Sequence, residues 1–426
     1  MRTVAFHTLG CKVNQYDSQA MLEKFEQAGY EVRDFSDTAD VYVVNTCTVT
    51  GTGDKKSLQA VRRVLRQNPA AHVVIAGCLA QRDGEKLLST GARLVIGNAR
   101  RKEVVSLLEE AIDRNQQIAA VSDILRADYE PLSISRHEGH TRAVLKIQEG
   151  CDRYCTYCII PYVRGGIRSR KPADIRAEAE RLAKAGFVEL VLTGIHLTSY
   201  GRDLENETLL DAIRACDVPG VQRIRLGSLE PVIVTEDFVS ALQKESKVCP
   251  QFHLALQSGC DSVLKRMRRR YTTEEFDRAC ALLRAAFPGC AITTDVIAGF
   301  PGETEEEFME TMAFCQKIGF ARMHVFPYSA RQGTPAAQMS NQVQKAIREE
   351  RARQLIAVGN QLAKAYMENQ LGTIQEVLAE ECENGLAQGY TGAYISCHFP
   401  GGVPGQVYPI WVTGLTEEGL TGEIAD

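Results

Sequence analysis

The stretch Glu149-Gly150-Cys151-Asp152-Arg153-Tyr154-Cys155-Thr156-Tyr157-Cys158-Ile159-Ile160-Pro161 places three thiols within eight residues, spaced C-x3-C-x2-C. Four closely spaced thiols would close a metal site, whereas three leave one position open. Thiolates are soft ligands that select zinc, copper or iron–sulfur clusters. A zinc ribbon would need a second C-x2-C pair, and the chain has none. An iron–sulfur cluster held by three cysteines keeps one iron free to bind and reduce an outside molecule. The spacing therefore points to a reactive cluster.

The residues before the triad predict a strand, Ala143 to Gln148, that delivers the cysteine loop at its end. From Thr141 onward, further strands are expected at Glu189 to Leu192, Arg223 to Leu226, His253 to Leu256, Ile292 to Ile297 and Met323 to Phe326. Helical patterns separate them at Pro172 to Ala185, Thr273 to Ala286 and Glu305 to Lys317. Six β/α repeats suggest a partial barrel with its functional groups at the C-terminal strand ends. A long helix, Lys345 to Met367, reads as a spacer. Beyond it, strand-like pieces at Ile374 to Leu378, Ala393 to Cys397 and Val407 to Val412, separated by glycines, suggest a small β-barrel.

Toward the N-terminus, strands at Thr3 to His7, Val41 to Asn45, His72 to Ala76 and Leu94 to Ile96 alternate with helices at Ser18 to Gln27, Lys56 to Arg66 and Lys102 to Ile112. Near-continuous apolar strands in this order imply a parallel sheet covered on both faces. Cys11, Cys47 and Cys78 each lie just past a strand's C-terminal end, where open α/β sheets place their functional crevice. Free Cys is commonly a core residue. Three at equivalent loop positions favour a second metal cluster instead. The expected class is α/β: a doubly wound domain over residues 1–117, a linker over 118–136, a partial (β/α)6 barrel over 137–368 and a small antiparallel β-barrel over 370–426.

The chain has 426 residues, 44% hydrophobic and 24% charged, typical of a soluble globular protein of two or three domains. No apolar run approaches bilayer length, and Met1 to Phe6 enters a strand without signal-peptide features. A cytoplasmic location and no membrane partner are expected, with the 14 cysteines serving metals rather than disulfides. The net charge of −5 is uneven. Gln370 to Asp426 carries eight acids and no Lys or Arg, leaving +3 for the rest of the chain. Basic residues cluster at Arg62-Arg63, Arg100 to Lys102, Arg164 to Lys171 and Lys265 to Arg270.

Along nearly its whole length the chain resembles the methylthiotransferases of the radical S-adenosylmethionine (SAM) superfamily. The resemblance is carried by the C-x3-C-x2-C loop, the three scattered cysteines and a C-terminal segment like a TRAM domain. Leu9-Gly10-Cys11-Lys12-Val13-Asn14-Gln15-Tyr16-Asp17-Ser18 is similar to the branch acting on N6-threonylcarbamoyladenosine in tRNA. The isopentenyladenosine branch tends to have Gly-Cys-Gln-Met-Asn here, and the ribosomal-protein branch Gly-Cys-Pro-Lys-Asn. The resemblance implies conversion of that nucleoside, next to the anticodon at position 37, to its 2-methylthio derivative. It implies two [4Fe–4S] clusters, one on Cys151, Cys155 and Cys158 that reductively cleaves SAM, and an auxiliary one on Cys11, Cys47 and Cys78. Adenine C2 carries an unactivated C–H bond, so a radical must abstract its hydrogen while a sulfur is held within reach.

The resemblance also proposes SAM contacts: Thr193 and Gly194 for its amino group, Ser228 and Glu230 for ribose or carboxylate, and the backbone of Tyr157 for the adenine. His196 is either structural or part of the site. Arg164, Arg168, Arg170 and Lys171, with Lys265 to Arg270, are expected to meet tRNA phosphates at the rim. An electron-donor protein is a further implied partner. The acidic C-terminal barrel is expected to shape substrate access rather than bind phosphate. Its Tyr390, Tyr394, Phe399, Tyr408 and Trp411 divide between base stacking and core. The remaining eight cysteines read as small buried apolar residues. Two alternatives stand beside this: the same chemistry on isopentenyladenosine or on a ribosomal-protein aspartate, and a non-catalytic iron–sulfur RNA-binding protein.

Overall fold

The computed structural model describes residues 2–137 and 139–425, so Asp426 of the acidic segment lies outside the described residues. The first module is a six-stranded parallel sheet. Its spatial order is Glu31–Arg33, Thr3–Thr8, Val41–Thr46, His72–Gly77, Leu94–Ile96 and Ile118–Ala120. Val41–Thr46 is buried throughout because apolar side chains cover both faces. Ala60, Val61 and Val64 of helix Gly51–Gln67 pack on one face. Met21 and Phe25 of helix Lys12–Gln27, with Leu107 and Leu108 of helix Val104–Asp113, cover the other. Ile118–Ala120, assigned to the linker from its lost periodicity, is the edge strand of this sheet, three residues being too few to show a period. Both early helices begin sooner than periodicity predicts. Helix Gly51–Gln67 is capped by Thr50, whose hydroxyl accepts from Gly53 N at 3.1 Å.

The second module has six parallel barrel strands: Arg142–Glu149, Glu189–Gly194, Arg223–Leu226, Gln251–His253, Ala291–Ala298 and Arg322–Pro327. The first three form one sheet and the last three another, linked by bridges between Ile224 and Val248 and between Leu229 and Leu254. The free side of the first strand pairs with the short antiparallel Arg168–Ser169, so the barrel is partial. Leu145, Ile147, Leu190, Leu192, Ile224 and Leu226 point outward into the core under the helices. By strand alternation, Lys146, Gln148, Glu189, Arg225, His253 and Asp295 belong to the opposite, lumenal face. The fourth strand is earlier than expected, at Gln251–His253, because the chain past it makes only isolated bridges. Helix Lys345–Glu368 is more than a spacer. Its Ala352 and Leu355 join the barrel core, and Arg351 pairs with Glu303 at 2.8 Å.

The third module is a closed barrel of Ile374–Glu383, Leu386–Thr391, Ser396–Pro400, Gly419–Ile424 and Val407–Leu415. Val377, Cys397, Phe399, Ile410, Val412 and Leu420 fill it. Leu386–Thr391 and Gly419–Ile424 escape a hydrophobic-pattern reading because glycines interrupt them. The predicted Ala393 to Cys397 strand moves to Ser396–Pro400, since residues 392–395 form a turn with Tyr394 at φ +65°. Of the eight unassigned cysteines, Cys382 is exposed and the other seven are buried.

The first two modules are joined by buried ions. Arg101 meets Glu130 at 2.8 Å and Glu149 at 3.3 Å. Arg164 meets Glu149 at 2.9 Å and Asp17 at 3.1 Å. Arg101 and Lys146 both close on Asp17. These six side chains are at most 4% exposed and balance to zero formal charge. Burial alone would raise the Asp17 carboxyl, but Arg101, Lys146 and Arg164 hold it below the usual range. Beside it, the Tyr16 hydroxyl lies 2.9 Å from both Leu132 O and Glu178 Oε1, which share its single proton. Asp17→Asn would leave three buried cations facing two carboxylates. It is expected to lower the opening free energy of helix Lys12–Gln27 by about 3–5 kcal/mol, measured by amide hydrogen exchange. Unchanged protection would show that the network does not hold the interface.

Candidate active site: two cysteine triads at a module interface

Cys11, Cys47 and Cys78 follow three adjacent strands: Thr3–Thr8, Val41–Thr46 and His72–Gly77. Strand order reverses between the first two, which opens a crevice at their C-terminal ends. Gly10, at φ +110°, lets the first loop lie against the second, since a Cβ there would sit 3.1 Å from Cys47 Sγ. Asn14 Nδ2 donates to Leu9 O at 2.6 Å and Thr46 O at 3.0 Å, fastening the two loops together. Thr46 Oγ1 donates to Ala76 O at 2.5 Å and accepts from Leu79 N at 3.1 Å, tying in the third. The three thiols act on one another electrostatically, and burial pushes Cys47 up to about 11.

In the second triad, Gly150 is obligatory: at φ +72°, a Cβ would fall 1.7 Å from Gly166 O. Cys151 N donates to Gly165 O and Cys158 N to Cys155 O, each at 2.9 Å. Thr156 N donates to Met267 O at 3.1 Å, holding the loop against the opposite half of the barrel. Burial raises Cys151 to about 11 and Cys158 to about 12. Among the described residues no three His, Cys, Asp or Glu converge as ligands of a single ion. Thiolates that each take a different iron of a cluster have no need to converge on one point.

Each triad receives one guanidinium N–H on sulfur. Arg164 Nε lies 3.2 Å from Cys78 Sγ, and Arg269 Nη1 lies 3.3 Å from Cys155 Sγ. Such donors suit thiolates carrying cluster charge and tune the reduction potential. The first triad also meets the residues just past the second: Cys78 packs with Ile159 and Val163. Arg164 additionally bonds Asn14 Oδ1, so one side chain links the Cys78 position, the helix that follows Cys11 and the ionic interface.

At the neighbouring strand ends, Thr193 is buried and Gly194 packs so closely on Gln148 that a Cβ would lie 2.8 Å from its Cβ. Ser228 is exposed. The buried Glu230 is ringed by Arg269 at 2.8 Å, Arg153 at 2.9 Å and His196 Nε2 at 3.1 Å. Burial opposes its ionisation, yet His196 and the two arginines hold it down at about 2. Arg269 takes Oε1, while Arg153 Nε and His196 Nε2 approach Oε2 at ion-pair distance without hydrogen-bond alignment. His196 also receives positioning from Gln148, whose Oε1 accepts from His196 N at 2.7 Å. The Tyr157 side chain packs beside Val263, Met267 and Phe300.

The structure corrects the basic clusters. Arg164, Arg168 and Arg170, expected at the tRNA rim, are buried, with only Lys171 exposed. They answer Glu149, the Arg164 and Asp128 carbonyls, and Glu178 respectively. In Lys265 to Arg270, Arg266 pairs with Glu307 at 2.6 Å and Arg269 serves Glu230, leaving Lys265, Arg268 and Arg270 exposed. Sequence reasoning did not single out Asn14, Gln148 or Arg153, and it placed Arg269 among the tRNA phosphate contacts at the rim. An arginine that neutralises a carboxylate far along the chain carries no local signal.

Residues 3–97 match the model of the uncharacterized protein family UPF0004, and residues 145–315 match that of the radical SAM superfamily. The threonylcarbamoyladenosine tRNA methylthiotransferase MtaB of Bacillus subtilis is 46% identical, across 94% of this chain and 91% of that protein. The MtaB of Aquifex aeolicus is 38% identical, across 91% and 95%. A tRNA-2-methylthio-N(6)-dimethylallyladenosine synthase of Symbiobacterium thermophilum is 33% identical, across 99% and 94%. Among solved structures, the radical SAM methyltransferase TsrM of Kitasatospora setae shares the fold with a TM-score of 0.56 at 16% identity, across 79% of this chain and 75% of TsrM. With the two matched domains in one chain and relatives this similar over almost its full length, the chain belongs to the radical-SAM methylthiotransferase family.

Proposed function

We propose that this chain methylthiolates C2 of N6-threonylcarbamoyladenosine beside the anticodon of tRNA. The observation that carries this is the pairing of two three-cysteine sites across one buried interface. Each has a buried arginine on a sulfur and each has one thiol fewer than a four-iron cluster has irons. The relatives named for this substrate, at 46% and 38% identity, support the choice of nucleoside. A [4Fe–4S] cluster on Cys151, Cys155 and Cys158 with SAM would supply one-electron cleavage chemistry, and a second on Cys11, Cys47 and Cys78 would supply a held sulfur.

The protein's own residues then have distinct roles. Arg153 and Arg269 outnumber Glu230 by one positive charge, which suits the SAM carboxylate, while Glu230 and His196 hold those arginines in place. The Thr193 and Gly194 backbone is assigned to the SAM ammonium, the exposed Ser228 to the ribose, and the Tyr157 backbone to the adenine. Electrons must come from a donor protein, because SAM cleavage consumes a reducing equivalent that these side chains do not supply. A tRNA substrate fits a cytoplasmic location, and no helix among the described residues is long and apolar enough to cross a membrane.

For tRNA phosphates, the groove along helix Gly51–Gln67 replaces the buried arginines. It measures about 980 Å³, adjoins the helix that follows the Cys47 loop, and presents Lys56, Arg62, Arg63 and Arg66 to solvent. That helix carries a single acid, Asp54, already shared by Arg82 and Arg331. Arg63 also stacks over Phe35 at 5.4 Å, which fixes its direction.

Three experiments test this reading. Mass spectrometry of tRNA nucleosides should show loss of 2-methylthio-N6-threonylcarbamoyladenosine when the gene is deleted and its return on complementation. Accumulation of an unmethylthiolated isopentenyladenosine instead would transfer the activity to the other nucleoside. The variant Cys11→Ala/Cys47→Ala/Cys78→Ala should bind about half the iron and still cleave SAM, but form no methylthio product. If it keeps all its iron, the auxiliary assignment fails. Arg62→Gln/Arg63→Gln/Arg66→Gln should reduce the slope of log affinity against log salt for tRNA by about 2, whereas an unchanged slope removes the groove from the interface.

A further inference from the structure

All three modules meet at the Tyr394 ring. The Lys12 ammonium, from the residue after Cys11, lies 5.8 Å from its centroid, and the guanidinium carbons of Arg142 and Arg225 each lie 4.8 Å from it. Tyr390 stacks on Tyr394 at 4.9 Å and 21°, with Arg142 over it at 4.9 Å. Glu189, Arg225 and His253 share the lumenal face of their strands, so this cluster forms one end of the barrel interior. The turn at residues 392–395 of the C-terminal barrel closes it.

The charges here do not cancel. Arg142 pairs with Glu380 at 2.6 Å. Arg223 and Arg225 share Glu189 at 2.8 and 2.7 Å, and also donate to the carbonyls of Tyr390, Thr391 and Gly392. Lys12, Arg142, Arg223 and Arg225, with Arg322 beside them, thus outnumber the carboxylates Glu189, Glu380 and Asp295. Each of the three arginines is paired with a carboxylate of the protein. Lys12 has no carboxylate within ion-pairing distance among the described residues, and its flexible stem rises from the first residue of helix Lys12–Gln27, next to the auxiliary-triad ligand Cys11. His324, exposed on the strand Arg322–Pro327, faces the same space and interacts with Lys12.

Lys12 is exposed, so water solvates its ammonium in the free protein and an arriving anion can take that water's place. The N6 substituent of threonylcarbamoyladenosine ends in a carboxylate, whereas a dimethylallyl substituent has no charge. We propose that Lys12 is a specificity-determining residue whose ammonium receives the threonyl carboxylate, with Tyr394 positioning it. This inference rests on the nucleoside assigned above. The tyrosine turn of the C-terminal barrel closes the end of the chamber where the substituent would lie. Discrimination follows because a site built around a charged group rejects an analogue that leaves the site's own charge unpaired.

The test compares two anticodon stem-loops, one with N6-threonylcarbamoyladenosine and one with its threonine carboxylate converted to the carboxamide. The reconstituted holoenzyme should prefer the carboxylate in kcat/KM by on the order of 10- to 100-fold. In Lys12→Gln that ratio should collapse toward one, and Lys12→Arg should restore most of it. Binding of both stem-loops to the variants, measured by fluorescence anisotropy, should show the same collapse. Iron content and the electron paramagnetic resonance spectrum confirm that the clusters remain. A preserved ratio in Lys12→Gln, or equal losses on both stem-loops, would overturn the assignment and leave Lys12 as a clamp on the C-terminal barrel. If instead the wild type does not modify the carboxylate stem-loop at all, the nucleoside itself is misassigned.

Discussion

Asp17, Arg101, Glu130, Lys146, Glu149 and Arg164 form a closed set of ions with almost no access to water, and the rest of the architecture is registered on it. Each ion costs several kcal/mol to desolvate, so the set adds little net stability over an apolar seam of the same shape. Its value lies in direction. An apolar interface tolerates sliding, whereas charges that must all be matched at hydrogen-bond distance admit one arrangement of the two modules. Arg164 belongs to this set and also reaches Cys78 Sγ and Asn14, so the placement of the first triad follows from charge neutrality at the interface.

The second triad depends on a smaller version of the same device. Glu230 gathers Arg153, Arg269 and His196, and Arg269 passes the constraint on to Cys155. Both sulfur-directed arginines are thus held from behind by carboxylates. That arrangement keeps a guanidinium N–H aimed at a thiolate whether or not substrate is present, which is the preorganisation electrostatic tuning needs.

The acidic C-terminal barrel has a local explanation. Its Glu380 and the carbonyls of its Tyr390–Gly392 turn meet the Arg142, Arg223 and Arg225 cluster at the base of the central barrel. A basic module would repel that surface. Of its five candidate stacking residues, Phe399 is core and Tyr408 leans on it at 5.8 Å. Tyr390 and Tyr394 face the arginines, leaving Trp411, 46% exposed, as the one turned to solvent.

The sequence by itself determined the modular order, nearly all the long strands and helices, and both cysteine triads. Those features are written in local periodicity and in the recurrence of Cys just past strand ends, and neither depends on distant partners. It also announced an acidic C-terminal segment without a reason for it. Only the tertiary structure decided which charges are buried. Arg164, Arg168 and Arg170 look like a phosphate-binding run because basic residues crowd one short segment, but Glu149 and the distant Asp17 claim Arg164, Glu178 of the next helix claims Arg170, and backbone carbonyls claim Arg168. The short edge strand at Ile118–Ala120 and the glycine-interrupted strands of the last barrel were hidden for a related reason, since each exists through pairing rather than through its own apolar pattern. Lys12 and Tyr394, at opposite ends of the chain, meet only after three modules have closed around one lumen. Coulombic matching acts through space, so no local reading of residue types can supply it.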